Sequence, residues 1–194
     1  HVVIEGDRIT AVEPGIYRGR LPRIDLHGAF LSPGLIDLMV LGGFDRSILC
    51  DDPLDIAKRY LKLGVTACQF CAASLPWEAM CRIGQRVRRA MSAPAPDAAR
   101  VLGLYLEGPF QQPDLTGASM RDYALPPSRE NVALILEHMG DVLTMVNVAP
   151  GLDGDVEAIR RFREAGTMVS MAHSNAPAER VLACVEAGTS VLGH

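Results

Sequence analysis

The sequence predicts a parallel α/β barrel preceded by a short β-rich segment, and three observations carry that expectation. From Gly34 onward, apolar runs alternate with amphipathic helical stretches, the strand–loop–helix repeat of a parallel sheet. Metal-competent side chains stand at the ends of several of those runs. No glycine-rich phosphate loop follows the first run, where Leu41-Gly42-Gly43 is too short for one, and no acidic residue ends the second. A doubly wound dinucleotide-binding sheet wants both, whereas barrel enzymes carry their chemistry at the C-terminal ends of separate strands.

Residues 1–32 read as short β segments. Gly6-Asp7 lies between two alternating runs, a hairpin signal, and Pro14-Gly15 closes the second run. Ile24–Phe30 reads as a third segment, and no helical period appears. The barrel portion, 33–194, follows from Pro33. Its expected strands are Gly34–Val40, Val65–Ala72, Val101–Glu107, Val142–Val148, Thr167–Ala172 and Ser190–Leu192. The helices between them carry their own punctuation. One starts at Asp52-Pro53, a cap followed by proline at the first helical position, and stops at Gly64. Another starts at Ser128 and stops at Gly140. The stretches VEAIRRFREAG and PAERVLACVEAG stop at Gly166 and Gly188, just before a strand.

Composition excludes several function classes. The 194 residues are 48% hydrophobic and 22% charged, ordinary for a globular protein, and the net charge of −4 gives no basic footprint for nucleic acid. The basic cluster Arg82 to Arg89 has helical spacing beside Trp77 and Met80 and reads as a solvated helix face. No apolar run is long enough to span a membrane, and no signal pattern opens the chain, so a cytoplasmic location is expected. The five cysteines, Cys50, Cys68, Cys71, Cys81 and Cys184, include one CxxC spacing. It lies inside a strand-like run, where alternation sends Cys68 and Cys71 to opposite faces, so reduced core thiols are expected. The chain opens on His1 inside a strand pattern and ends at His194 after another, as a piece of a longer protein would.

Glu107 ends the third apolar run, before Gly108-Pro109; His173 ends the fifth, before Ser174-Asn175; His194 follows the sixth. One carboxylate and two imidazoles on strands three, five and six of a barrel converge on one mouth. A His₂Glu set leaves an open coordination position for water, the composition of a catalytic zinc site. His27 and His138 read as structural, the latter near a helix end where an imidazolium suits the dipole. Asp37, inside the first strand, wants a partner.

These residues also carry a resemblance. Pro33-Gly34-Leu35-Ile36-Asp37 resembles the segment that opens the barrel of the amidohydrolase superfamily after a small β-sandwich domain. Leu106-Glu107-Gly108-Pro109-Phe110, paired with His173-Ser174-Asn175-Ala176, is similar to the N-acetylglucosamine-6-phosphate deacetylase family in particular. The resemblance implies a (β/α)8 TIM barrel, of which about strands 1–6 are present. It implies one divalent metal ion at Glu107, His173 and a strand-six histidine, with zinc expected and iron, manganese or cobalt tolerated. It implies removal of acetate from an amino-sugar phosphate, a homodimeric complete protein, and a proton-carrying aspartate on strand eight, beyond residue 194. Gly117-Ala118-Ser119 matches a substrate-holding segment, and Arg121 just beyond it is a candidate for the phosphate.

Three departures qualify the match. The superfamily's HxH on strand one is Met39-Val40-Leu41, which favours a mononuclear site. Serine stands at 119 where the family has a histidine. One alignment puts Ser190 at the strand-six ligand position; another, preferred because His194 follows its apolar run as His173 does, puts His194 there. The competing readings are an amidohydrolase acting on another acylated amine or a cyclic amide, and a relative without catalysis.

Overall fold

The computed structural model describes residues 1–193, and the chain divides into two compact units, His1–Pro33 and Gly34–His194. In the first unit, β1 (Val2–Glu5) and β2 (Arg8–Val12) form an antiparallel hairpin. Gly6 at its tip has φ 64, a value that costs glycine little. The expected third segment, Ile24–Phe30, forms no strand. The Asp25 carboxylate accepts the His27 amide at 2.8 Å and the Ala29 amide donates to the Leu26 carbonyl. An Asp side chain that bonds the backbone two residues on offers a turn in place of a sheet ladder. The left-handed φ of His27 and Gly28 completes that turn. Apolar alternation was a poor guide there.

The second unit is built on six parallel strands in the order β10-β9-β8-β7-β6-β3. They are β3 (Leu35–Val40), β6 (Val65–Ala72), β7 (Arg100–Phe110), β8 (Leu143–Val148), β9 (Met168–Met171) and β10 (Val191–Leu192). The sheet curls as part of a TIM barrel, within about one residue of most expected strand bounds. Two differences stand out. A two-residue antiparallel pair, β4 (Gly42–Gly43) with β5 (Arg46–Ser47), follows β3. And β7 does not stop at Glu107: it runs on to Phe110, with an irregular register between Leu106 and Phe110. Phe110 still pairs with Val148 and its carbonyl accepts the Ala149 amide at 2.9 Å, so pairing resumes beyond Gly108-Pro109.

The helices are α1 (Pro53–Leu61), α2 (Trp77–Ser92), α3 (Arg129–Met139), α4 (Asp155–Glu164) and α5 (Ala178–Ala187). Their starts follow from sequence. Asp52 accepts the Leu54 amide and Ser128 accepts the Asn131 amide, each satisfying a donor that a helix N-terminus leaves orphaned. Helix-facing strand residues, among them Cys68, Phe70, Leu104, Leu106, Val146 and Val169, pack with Ile56, Ile83, Ile135 and Phe162 into the main core. The opposite face of the sheet carries a smaller cluster, Cys71, Tyr105 and Met145, with Val191 against it. Cys68 and Cys71 thus lie on opposite faces, as the strand's alternation requires.

All five cysteines are free thiols. Burial pushes Cys68 up to about 11 and Cys71 higher still, and burial also raises Cys184 to about 11. An acid whose folded pKa exceeds its unfolded value of 9.0 stabilises the fold fully below pH 9. That contribution fades as pH rises toward 11. Asp51 raises the Cys50 thiol as well, through their hydrogen bond, so it is exposure that should make Cys50 react first with a thiol reagent at pH 8. Cys68, Cys71 and Cys184 should react only on unfolding, and rapid native labelling of Cys71 would contradict this packing.

Candidate functional site

Alternation along β7 sends Leu104 and Leu106 toward the helices and Tyr105 and Glu107 to the opposite face, where the sheet's C-terminal edge opens. Glu107 is 7% exposed there. His173 follows β9 with φ 57, a left-handed value that a non-glycine residue holds only where its surroundings enforce it. The enforcing contacts are visible. The Ser174 hydroxyl donates to the Pro150 carbonyl at 2.6 Å, and the Gln112 side-chain amide donates to the same carbonyl at 3.0 Å. The Gln112 backbone amide donates to the His173 carbonyl.

The turn brings His173 Nε2 to 3.2 Å from Glu107 Oε1, two residues that lie 66 positions apart in sequence. On its far side the ring is fixed: Nδ1 lies 2.8 Å from the Leu115 carbonyl. A carbonyl only accepts, so Nδ1 carries the proton. In the neutral imidazole Nε2 is then a lone pair aimed at a carboxylate oxygen, and the contact is favourable when a cation, proton or metal, lies between. Gly117 backs the ring, since a Cβ there would come within 3.4 Å of His173 Cε1.

This donor pair fits a divalent ion. With metal–nitrogen and metal–oxygen bonds of about 2.0–2.2 Å, two ligands of one tetrahedral ion lie roughly 3.3–3.6 Å apart, close to the observed 3.2 Å. A histidine whose other nitrogen donates to a backbone carbonyl is held in the tautomer and orientation a metal requires. Among the described residues no third His, Cys, Asp or Glu completes a set with them; the expected third ligand, His194, lies outside the described residues. Ser190 lies low on its strand relative to His173. Its amide donates to the Val169 carbonyl, four residues before His173, and a strand rises about 3.3 Å per residue.

Residues that sequence reading passed over hold Glu107 from behind. The Gln111 side chain donates to the Glu107 carbonyl, and the Ser74 hydroxyl donates to Gln111 Oε1 at 2.9 Å; both side chains are buried. Gly108 is a close approach: a Cβ would lie 2.2 Å from Ser74 Oγ. Beneath Glu107 sit two groups kept neutral. Burial, then the Glu107 charge, raises Cys71, and burial raises Tyr105 to about 12 while its hydroxyl lies 3.0 Å from Ser170 Oγ.

The remaining candidates fall out differently. Gly117, Ala118 and Ser119 form a turn closed by a Ser119 to Thr116 bond, and Ala118 and Ser119 line a cavity of about 260 Å³. Arg121 is ion-paired with Asp114 at 2.7 Å on the exposed surface. Asp37 accepts the Met39 amide at 3.0 Å. His138 caps its own helix turn through Leu134 and meets Trp77 edge-on, and His27 is exposed beside Asp25. Among the described residues, no helix is long and apolar enough to cross a membrane.

Comparison with known proteins finds relatives over most of the chain. No family model matches the chain. N-acetylglucosamine-6-phosphate deacetylase of Lysinibacillus sphaericus is 27% identical over 196 residues, covering 100% of the chain and 50% of the relative. The Caenorhabditis elegans protein of the same name is 32% identical over 184 residues, covering 89% of the chain and 44% of the relative. The crystal structure of N-acetylglucosamine-6-phosphate deacetylase from Pasteurella multocida superimposes with a TM-score of 0.86 at 28% identity, over 100% of the chain and 51% of that structure. The chain is similar over most of its length to N-acetylglucosamine-6-phosphate deacetylases. It spans about half the length of the curated relatives it matches. The candidate pair is Glu107 and His173, and apolar side chains stand at Met39 in β3 and at Leu41 just beyond it.

Proposed function

We propose that the full-length protein is a metal-dependent amide hydrolase that converts N-acetylglucosamine 6-phosphate to glucosamine 6-phosphate and acetate. The observation that carries this reading is the Glu107–His173 contact of 3.2 Å, with the imidazole oriented by the Leu115 carbonyl at the C-terminal edge of a parallel sheet. Relatives covering the same span bear the deacetylase name.

Glu107, His173 and His194 hold one divalent ion in this reading, zinc before iron, manganese or cobalt. Such an ion supplies a Lewis acid that polarises an acyl carbonyl and makes water acidic enough to attack at neutral pH. The chain's own residues prepare the place. The Leu115 carbonyl and Gly117 fix the imidazole, Gln111 and Ser74 fix the carboxylate's backbone, and neutral Cys71 and Tyr105 supply a dry floor. Gly117, Ala118 and Ser119 flank the bound amide. The same reading has the enzyme act as a homodimer in the cytoplasm, where free thiols persist.

The test uses the full-length protein. One divalent ion per chain and acetate release from the phosphorylated sugar are expected; activity on plain N-acetylhexosamines alone would remove the phosphate from the assignment. His194→Ala should abolish metal retention while Ser190→Ala leaves it intact, and the reverse would reassign the third ligand.

A further inference from the structure

We infer that the cavity beside Glu107 receives the acyl chain of the substrate and accepts chains longer than acetyl. The inference rests on the amide-hydrolase reading above. The cavity, about 260 Å³, is walled by Leu41, Ile48 and Leu49 after β3, by Ala73 and Leu75 after β6, and by Met120. Its remaining lining residues are alanines, serines and the Cys71 thiol, and none of its lining residues carries a charge.

Its place beside the candidate metal ligands follows from three contacts. Cys71, on its floor, pairs across the β6–β7 ladder with Tyr105, which shares its face of the sheet two residues before Glu107. Ser74, on its wall, bonds the Gln111 that holds the Glu107 carbonyl, and it lies where a Cβ on Gly108 would fall. Ala118 and Ser119 continue directly from Gly117, which backs the His173 ring. An amide carbonyl presented to Glu107 and His173 therefore has this cavity at one side.

The lining decides which side of the amide enters. A phosphorylated sugar is hydrated along its length, and burying its hydroxyls or its charge against Leu41, Ile48 and Met120 strands polar groups without partners. An acyl chain loses nothing by leaving water. Acetyl presents one methyl group, which leaves most of this space unfilled. Leu41 sharpens the point, since a metal-binding residue there would have made the wall polar. The step is ordinary hydrolysis: water oxygen bonds to the acyl carbon, the C–N bond breaks, and the amine leaves with a proton from water. A short-chain carboxylate is released.

The experiment compares N-acetyl-, N-propanoyl- and N-butanoylglucosamine 6-phosphate with the full-length protein. Each buried methylene is worth about fourfold in binding. The butanoyl compound should match or exceed the acetyl compound in kcat/KM. Ala73→Leu, which fills the cavity, should lower the butanoyl-to-acetyl ratio about tenfold. Leu49→Phe does the same from the opposite wall at a half-exposed position that tolerates change, should Ala73→Leu fail to fold. Acetyl turnover with butanoyl turnover more than tenfold poorer would overturn the inference and leave the deacetylase reading standing. Isothermal titration covers the case of no turnover. Butanoyl binding at least as tight as acetyl would retain the cavity assignment while the hydrolase reading falls; binding tenfold weaker would remove both.

Discussion

Replacing Glu107 by glutamine is expected to strip the full-length protein of its divalent ion and reduce acetate release by at least two orders of magnitude. Outer partners of metal ligands typically cost about 10–100-fold in metal affinity when removed, and Glu107 is proposed to be a ligand itself. The substitution keeps the side chain's volume, and the carbonyl that Gln111 holds is untouched. Folding should therefore survive, and the loss should appear as a metal-affinity change at nearly constant melting temperature of the metal-free protein. The His173 ring gives an independent check. Its Nδ1 proton is tied to the Leu115 carbonyl at 2.8 Å by a contact that does not involve Glu107. In Glu107→Gln the imidazole should keep its orientation, visible as an unchanged Nδ1–H tautomer by nitrogen NMR. Retention of one tightly bound ion in Glu107→Gln would exclude the carboxylate from the metal set. A metal-free melting temperature that collapses with the substitution would instead make Glu107 a structural residue.

Much of this fold was legible because its signals are local. Parallel strands buried on both faces read as apolar runs, and helix starts at Asp52 and Ser128 are written in the capping residue itself. Glu107 and His173 stood out because each interrupts such a run with a group that has no business in a core. What stayed hidden was long-range. Nothing at Leu115 announces that its carbonyl orients a histidine 58 positions later, because any residue supplies a backbone carbonyl. Ser74 and Gln111 are ordinary polar residues until the fold sets them against each other. The pair of glutamines directly after Phe110 was the one available hint, since two long amides at the end of a buried strand need partners. Ile24–Phe30 failed in the other direction: its alternation was real, but Asp25 and Gly28 write a turn into it. His194 was preferred over Ser190 only because it follows its apolar run as His173 does, and the Ser190–Val169 bond shows how low on its strand Ser190 lies.

Asp155→Ala is expected to cost about 3 kcal/mol of folding stability, a large part of the roughly 5–15 kcal/mol a domain possesses. Asp155 is fully buried at the first turn of α4 and accepts from four residues at once. The Gly151 amide donates at 2.8 Å, its neighbour Val156 at 2.6 Å, the Arg180 guanidinium through Nε at 3.0 Å and a second nitrogen, and the Cys184 thiol at 3.6 Å. Alanine leaves two backbone donors and a guanidinium facing an empty space. The figure sits at the low end of the range for a broken buried pair because Arg180 is 40% exposed and can turn to water. For the same reason Arg180→Ala should cost less than Asp155→Ala, an ordering that urea denaturation can read directly. The consequence extends to the site. Gly151 follows Pro150, whose carbonyl holds both Ser174 and Gln112, and those two contacts enforce the left-handed turn at His173. Loosening the 150–155 loop should therefore weaken metal retention under conditions where Asp155→Ala is still folded, although Asp155 touches neither Glu107 nor His173. A variant within about 0.5 kcal/mol of the parent, or one that loses stability with metal affinity intact, would separate the α4 anchor from the His173 turn.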